Sequence, residues 1–378
     1  MVSLLALSCV VVAFLLNTSA PASGQQGFII PDSSEAYSGC PACDLSFDSN
    51  VTTEVAANEA FGVVSDFVDA LKTQQPEQVT GVFCKSASLW GTVSQMARYT
   101  KEEIYSYFDY FAREDNEILS ACPQVLQLGG DLYETNVMVN NSGSCLRMSF
   151  TVDVKDRCIS HLYSSYFPND PEALRLVDLE NEMPWSNGTL NNDTLPPPRT
   201  SQGDCTSCDL KIIGTIPASE LEGVDGIMTA WVDGLIAQNS TAIADTHCTD
   251  SSALWGTVSN PRRNTYDEIK SYFDWFATSY NFTEEIKSVC PTLIKLSDTV
   301  FVEDRELRLG NQCLRMSYTI ANQDGSYCIK SLTSSYVPEE PSGLIAADQR
   351  NLNGPPPSSS VKHMSLIASM LMAMLMLV

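Results

Sequence analysis

The sequence predicts an α+β fold built twice: two tandem cone-shaped domains, each with N-terminal helices packed on a curved antiparallel sheet. Three observations predict it. The chain of 378 residues repeats itself, since Leu89-Trp90-Gly91-Thr92-Val93-Ser94 returns as Leu254-Trp255-Gly256-Thr257-Val258-Ser259 and Cys145-Leu146-Arg147-Met148-Ser149 returns as Cys313-Leu314-Arg315-Met316-Ser317. The offset grows only from 165 residues at Trp90 and Trp255 to 170 at Ser164 and Ser334, a period that fits whole globular domains rather than a solenoid. Within each copy, apolar residues at helical spacing come first and strand-like segments follow, the order of an α+β domain. Twelve cysteines then divide six and six at matching positions.

Residues 1–24 read as a secretory signal peptide, apolar from Met1 to Leu16 and ending in small residues up to Gly24. A polar leader precedes the first repeat, residues 40–171; residues 172–204, rich in Asn and Pro, form a linker; the second repeat is 205–341. Residues 342–363 read as a stalk and residues 364–378 as an uncharged apolar tail. A polar spacer before a terminal apolar run suits a glycolipid-anchor signal, with a short tail anchor as the alternative, because the run falls short of the ~20 residues of a membrane span.

Each repeat opens with an amphipathic helix, marked by Phe61, Val64, Phe67, Ala70 and Leu71 in the first and by Val224, Ile227, Met228, Trp231 and Leu235 in the second. A short helix follows at 76–83 and 240–246, and the Leu-Trp-Gly-Thr-Val segment reads as a buried strand or strand–turn. Thr100 with Glu103 and Thr265 with Glu268 are capping boxes that start a second helix. One face of that helix carries Ile104, Tyr107, Phe108 and Phe111, or Ile269, Tyr272, Phe273 and Phe276. Strands near 125–129, 132–139, 145–154 and 157–167 close the first repeat, with turns at Gly129-Gly130 and Asn141-Ser142-Gly143.

A secreted chain with an even cysteine set is expected to hold three disulfides per repeat, from Cys40, Cys43, Cys84, Cys122, Cys145 and Cys158, and from Cys205, Cys208, Cys248, Cys290, Cys313 and Cys328. Six cysteines allow fifteen pairings, and spacing does not choose among them. Sequons at Asn50, Asn140, Asn187, Asn192, Asn239 and Asn281 agree with a secretory route to the outside of the cell or its surface. The net charge of −24 argues against nucleic acid as a partner, whose phosphates require Lys and Arg.

The string Leu-Trp-Gly-Thr-x-Ser, then Arg98 or Arg263, then Ile-x-x-Tyr-Phe-x-x-Phe, then a late strand ending Ser-Ser-x-x-Pro resembles the nuclear transport factor 2-like superfamily. Within it, the chain is most similar to the group holding the calcium/calmodulin-dependent kinase II association domain and the iota-class carbonic anhydrases. The iota class carries His-His-His-Ser-Ser-x-x-Pro on its final strand. Here the strand reads His161-Leu162-Tyr163-Ser164-Ser165-Tyr166-Phe167-Pro168 in the first repeat and Ser331-Leu332-Thr333-Ser334-Ser335-Tyr336-Val337-Pro338 in the second. One histidine of three is kept in the first copy and none in the second. The resemblance implies reversible hydration of CO₂ to bicarbonate by pocket hydroxyls: Tyr107 with Ser164 or Ser165 placing the water, Thr92 holding the bicarbonate oxygen, Trp90 and Phe108 forming an apolar wall. The second repeat offers Thr257, Tyr272, Ser334, Ser335, Trp255 and Phe273. A zinc hydratase needs about three His or Cys ligands, and a chain with 3 histidines in all and its cysteines in disulfides is a poor source of them, so no cofactor is expected, with a divalent metal other than zinc left open.

Other readings of the same residues stand beside this one. Tyr107 and Tyr272 lie on the core stripe, and His161 suits a hydrogen-bonded core residue as well as a base. Arg147 and Arg315, mid-strand in both copies, fit either a buried pair with an acid or a grip on an anionic ligand. The alternatives in function are a non-catalytic ligand-binding or oligomerisation module, with the two copies forming an internal pseudo-dimer or the chain a homo-oligomer, and an isomerase or hydrolase of the polyketide-cyclase type. The last would need a pocket carboxylate or histidine as base.

Overall fold

The structure is a computed structural model that describes residues 46–47, 54–111, 118–141, 144–166, 174, 210–259, 262–279, 287–309, 312–338 and 341–352. The signal peptide, the leader, the linker apart from Leu174, the tail, Cys40, Cys43, Cys205, Cys208 and the sequons at Asn50, Asn187, Asn192 and Asn281 lie outside these residues. Cys122, Cys145, Cys290 and Asn140 are described by backbone alone.

The N-terminal unit runs β1 (Ser46–Phe47), α1 (Glu54–Lys72), α2 (Pro76–Gly81), β2 (Phe83–Trp90), α3 (Lys101–Phe111), β3 (Ile118–Gly129), β4 (Leu132–Asn141), β5 (Ser144–Asp153) and β6 (Cys158–Tyr166). The C-terminal unit repeats it as β7 (Lys211–Ile213), α4 (Ala218–Ile236), α5 (Ser240–Ala244), β8 (Ala253–Trp255), α6 (Tyr266–Ser279), β9 (Lys287–Lys295), β10 (Val300–Leu309), β11 (Gln312–Gln323) and β12 (Ser326–Tyr336). Each unit has one six-stranded sheet, in the order β1-β3-β4-β5-β6-β2 and β7-β9-β10-β11-β12-β8. The four long strands are antiparallel, as the turn signals predict. The short strands added at the edges are parallel to their neighbours, which the sequence does not foreshadow.

Local chemistry sets the element boundaries. Thr100 and Glu103 cap α3 reciprocally, the Glu103 amide donating to Thr100 Oγ1 at 3.2 Å and the Thr100 amide to Glu103 Oε2 at 3.1 Å. Thr265 and Glu268 do the same for α6 at 3.3 and 3.1 Å. Gly130, at φ 56°, makes the β3–β4 turn in a conformation that glycine adopts without steric cost. Asn239, exposed, caps α5 by accepting from the Ala242 amide at 3.1 Å.

Strand alternation gives each sheet two faces. From β5 and β6, Leu146, Met148, Phe150, Val152 and Leu162 turn inward onto α1 and join Val64, Phe67 and Leu71 in one core. Phe67 sits at its centre, edge-on to Phe150, Phe108 and Phe83 at centroid distances of 5.1, 5.7 and 6.0 Å. The C-terminal unit builds the same core around Trp231, Phe273 and Tyr318.

The other faces of the two sheets pack against each other. His161, Tyr163 and Glu134 of one meet Ser317, Ser335 and Ser331 of the other at 2.9, 2.7 and 2.7 Å. The units also exchange a side chain each. Leu174, just after the first unit, is fully buried in the core of the second, and Leu344, just after the second, is fully buried in the core of the first. Leu344 belongs to α7 (Ser342–Leu352), which packs along α3. A stalk was expected from residue 342; the burial of Leu344 and Ala347 makes its first eleven residues a helix instead.

Two disulfides, Cys84–Cys158 and Cys248–Cys328, join equivalent places in the two units with Cα atoms 5.0 Å apart, tying the entry to β2 to the start of β6 and its counterpart. Cys313 is also disulfide-bonded. Such bonds are compatible with an oxidising, extracellular setting.

Candidate functional site

The segment after β2 turns sharply at Gly91 and delivers Thr92 beneath the last strand of the sheet. Thr92 Oγ1 donates to Ser164 Oγ at 2.9 Å. Tyr107, from the inner face of α3, lays its ring on the Gly91 backbone. A Cβ at position 91 would stand 2.2 Å from the ring, so a close approach is built into the Trp-Gly-Thr string. Phe111 stacks on Tyr107 at 5.4 Å and Phe108 meets it edge-on at 5.1 Å. Arg98 lies over the same ring, 5.3 Å from its centroid, and holds Ser94 through Nη1. The C-terminal unit repeats the arrangement: Thr257 Oγ1 donates to Ser334 Oγ at 2.9 Å, Tyr272 lies on Gly256, and Arg263 sits 5.0 Å over the Tyr272 ring.

These hydroxyls are closed to solvent, Thr92, Tyr107 and Ser164 each being no more than 2 % exposed. The Tyr107 hydroxyl lies beside Thr92 and the Val93 amide without completing a hydrogen bond of good geometry to either. Burial pushes its pKa up to about 12, while Arg98, Thr92 and the Val93 amide draw it down. At neutral pH Tyr107 is therefore a proton donor and not a base. Burial likewise raises Tyr272. An unpaired phenol next to a hydroxyl pair is the kind of vacancy of bonding that one water, or one substrate oxygen, completes.

The structure therefore brings together Thr92, Tyr107, Ser164 and Phe108, and likewise Thr257, Tyr272, Ser334 and Phe273. It does not bring His161, Ser165, Ser335, Trp90 or Trp255 to them. All five lie on the outer face of their sheets, between the units, because odd and even positions of a strand point opposite ways. His161, expected to face the pocket, accepts or donates to Ser88 Oγ through Nδ1 at 2.7 Å and to Ser317 Oγ through Nε2 at 2.9 Å. Burial lowers its pKa to about 4, so it is neutral at physiological pH. Ser165 accepts from Arg147 Nε at 3.3 Å, and Ser335 accepts from Arg315 Nε at 3.1 Å. Trp90 donates to the Gln95 carbonyl at 3.1 Å and stands edge-on to Tyr163.

Arg147 and Arg315 direct their Nη donors at backbone carbonyls of the opposite unit, and Arg315 also draws down the buried carboxyls of Asp304 and Glu306. Arg147 Nη1 donates to the carbonyls of Gly256 and Ser259 at 2.8 and 3.0 Å, and Nη2 to that of Ser334 at 2.7 Å. Arg315 reciprocates on Gly91, Ser94 and Ser164 at 2.7, 2.8 and 2.9 Å. Each arginine thus grips, from outside, the turn and strand that carry the other unit's hydroxyl cluster. Arg98 and Arg263 belong to the string that carries the family resemblance, with no role assigned there; their presence in both copies is the signal, and their place over the tyrosine rings gives it meaning.

The second interior also carries a buried charge pair. Where the first unit has Thr135 and Val137 facing its core, the second has Glu303 and Arg305, joined as a buried ion pair beside Tyr318. Burial raises the Glu303 carboxyl, and Arg305 opposes the rise. Among the described residues no three His, Cys, Asp or Glu side chains are grouped as a metal ion would require.

No family model and no curated protein matches the chain. Solved structures do. One is described as a calcium/calmodulin dependent protein kinase II association domain from Xanthomonas campestris, 26% identical, with a TM-score of 0.29, spanning 36% of this chain and 99% of that one. Another is an NTF2-like protein of unknown function from Shewanella baltica, 13% identical, TM-score 0.28, spanning 32% of this chain and 98% of that one. A third is a domain of unknown function with a cystatin-like fold from Nostoc punctiforme, 10% identical, TM-score 0.28, spanning 42% and 99%. Neighbours of this chain thus include a nuclear transport factor 2-like protein and a kinase II association domain, each matched nearly whole by a part of it.

Proposed function

We propose that the chain is a secreted or surface-anchored protein that hydrates CO₂ reversibly, with the hydroxyl cluster of Thr92, Tyr107 and Ser164 as its active site and no metal. The observation that supports this reading is the convergence itself. The three hydroxyl residues that the resemblance to iota-class carbonic anhydrases singles out meet at one place in both units, each threonine bonded to its serine and each tyrosine laid on the neighbouring glycine. In this reading one water is held by Tyr107 and Ser164. Its oxygen bonds to the CO₂ carbon while a C=O π pair moves onto oxygen. The Thr92–Ser164 hydrogen bond reverses as Ser164 Oγ takes one water proton and passes its own to Thr92, which delivers its proton to that oxygen, leaving carbonic acid, which ionises in solution. His161 takes no part, since it lies on the far face of the sheet.

The test is CO₂ hydration followed by stopped-flow pH change on the oxidised, folded protein, with and without a chelator. A rate above buffer that the chelator leaves untouched, and that Thr92→Val or Tyr107→Phe lowers at least tenfold, supports it. An intact fold with no rate above buffer overturns it. The closure of the cluster to solvent favours a second reading, a non-catalytic module in which the same hydroxyls brace the core.

A further inference from the structure

We propose that Arg98 is the anion-holding residue of the N-terminal hydroxyl cluster and that Asp348, on α7, occupies it with the chain's own carboxylate. The proposal rests on the reading of that cluster as a site for a small planar oxyanion. Arg147 and Arg315, which sequence reasoning offered for that role, spend their guanidinium donors on carbonyls of the opposite unit. Arg98 is placed differently. It is 5 % exposed, lies over the Tyr107 ring, touches Ser94 of the same turn as Thr92, and directs Nη2 at Asp348 Oδ2 at 2.7 Å.

The residue that fills this position comes from 250 positions along the chain, on a helix anchored by Leu344 in the N-terminal core. A carboxylate has the O–C–O geometry and the charge of formate and bicarbonate, and the planar guanidinium fork recognises all three alike. Asp348 is held at the edge of the cluster, its side chain 29% exposed against 6% for Arg98, so it can be exchanged for an external ion without unpacking Tyr107. Burial raises the Asp348 carboxyl and Arg98 pulls it down, as expected of a carboxylate drawn partly out of water by its cation. Because α7 is tethered, Asp348 competes at an effective concentration of the order of millimolar or above. The arrangement is an internal ligand that keeps weak anions out of the N-terminal cluster.

The test measures sodium formate binding by calorimetry on the whole oxidised protein, against sodium chloride at equal ionic strength. Asp348→Asn, which keeps size and loses charge, is expected to bind formate at least tenfold more tightly than the unaltered protein, and Asp348→Ser to act likewise. Arg98→Lys in the Asp348→Asn background is expected to remove that gain. Near-ultraviolet circular dichroism identifies variants that have kept the fold. Folded neutral variants that bind formate no better than the unaltered protein overturn the proposal, as does a gain that survives Arg98→Lys. A formate gain without CO₂ hydration leaves this inference standing while the hydratase reading falls; hydration without a formate gain does the reverse.

Discussion

A methyl group at position 91 would land 2.2 Å from the Tyr107 ring, and one at 256 would land 2.5 Å from Tyr272. Gly91→Ala is therefore expected to push the ring off its stack with Phe111 and destabilise the fold by about 1–3 kcal/mol, the usual cost of overpacking. A lowered denaturant midpoint with an unchanged slope is the measurement. At the same scale, the buried titratable groups between the sheets make stability depend on pH. Burial pushes Asp304 up to about 7, and its neighbours across that space are His161 at 3.7 Å, Ser317 and Arg315, with Tyr99 close enough to feel its charge. An acid whose folded pKa is raised stabilises most below its unfolded value of about 4 and loses that contribution as pH climbs toward 7. The neutral His161, lowered to about 4, contributes above about 6.5 and loses its share only on acidification. Asp304→Asn is thus expected to flatten the decline between pH 5 and 7.5, read from urea midpoints at the two pH values; equal slopes for both proteins would contradict the assignment.

At the scale of elements, much was readable because it is local. Thr100, Glu103 and the apolar stripe of α3 lie within three turns of one another, so capping and facing follow from spacing alone. Whether Ser164 or Ser165 joins Thr92 was not readable, since it depends on which sheet face meets the helices and on the irregular pairing near Ser160. The resemblance puts Trp90 on the pocket wall, yet it stands outward because its neighbour Leu89 takes the core position. The helical state of α7 was hidden for a similar reason: only burial of Leu344 in a distant core favours it. Element pairing also yields a prediction. The Cys84–Cys158 bond closes a loop across 74 residues, and its removal by Cys84→Ala with Cys158→Ala is expected to cost about 2–5 kcal/mol, seen as a drop in thermal midpoint.

At the scale of the whole molecule, each unit's candidate site is held in shape by the other's arginine. Arg315→Met leaves the carbonyls of Gly91, Ser94 and Ser164 buried without their donor, and is expected to destabilise the protein by about 3 kcal/mol or more. The matching change Arg147→Met is expected to disturb the Thr257 turn rather than the Thr92 turn. Methyl chemical shifts of those two threonines distinguish the outcomes.

The exchanged leucines carry a consequence for how the chain can be cut. Leu174 stays with the first half and Leu344 with the second, yet each is sealed in the other half's core. Cleavage between residue 175 and residue 204 is expected to sever the covalent path while the buried leucines keep the halves together. The expected product is one particle of two polypeptides, which size-exclusion chromatography of the cleaved protein checks.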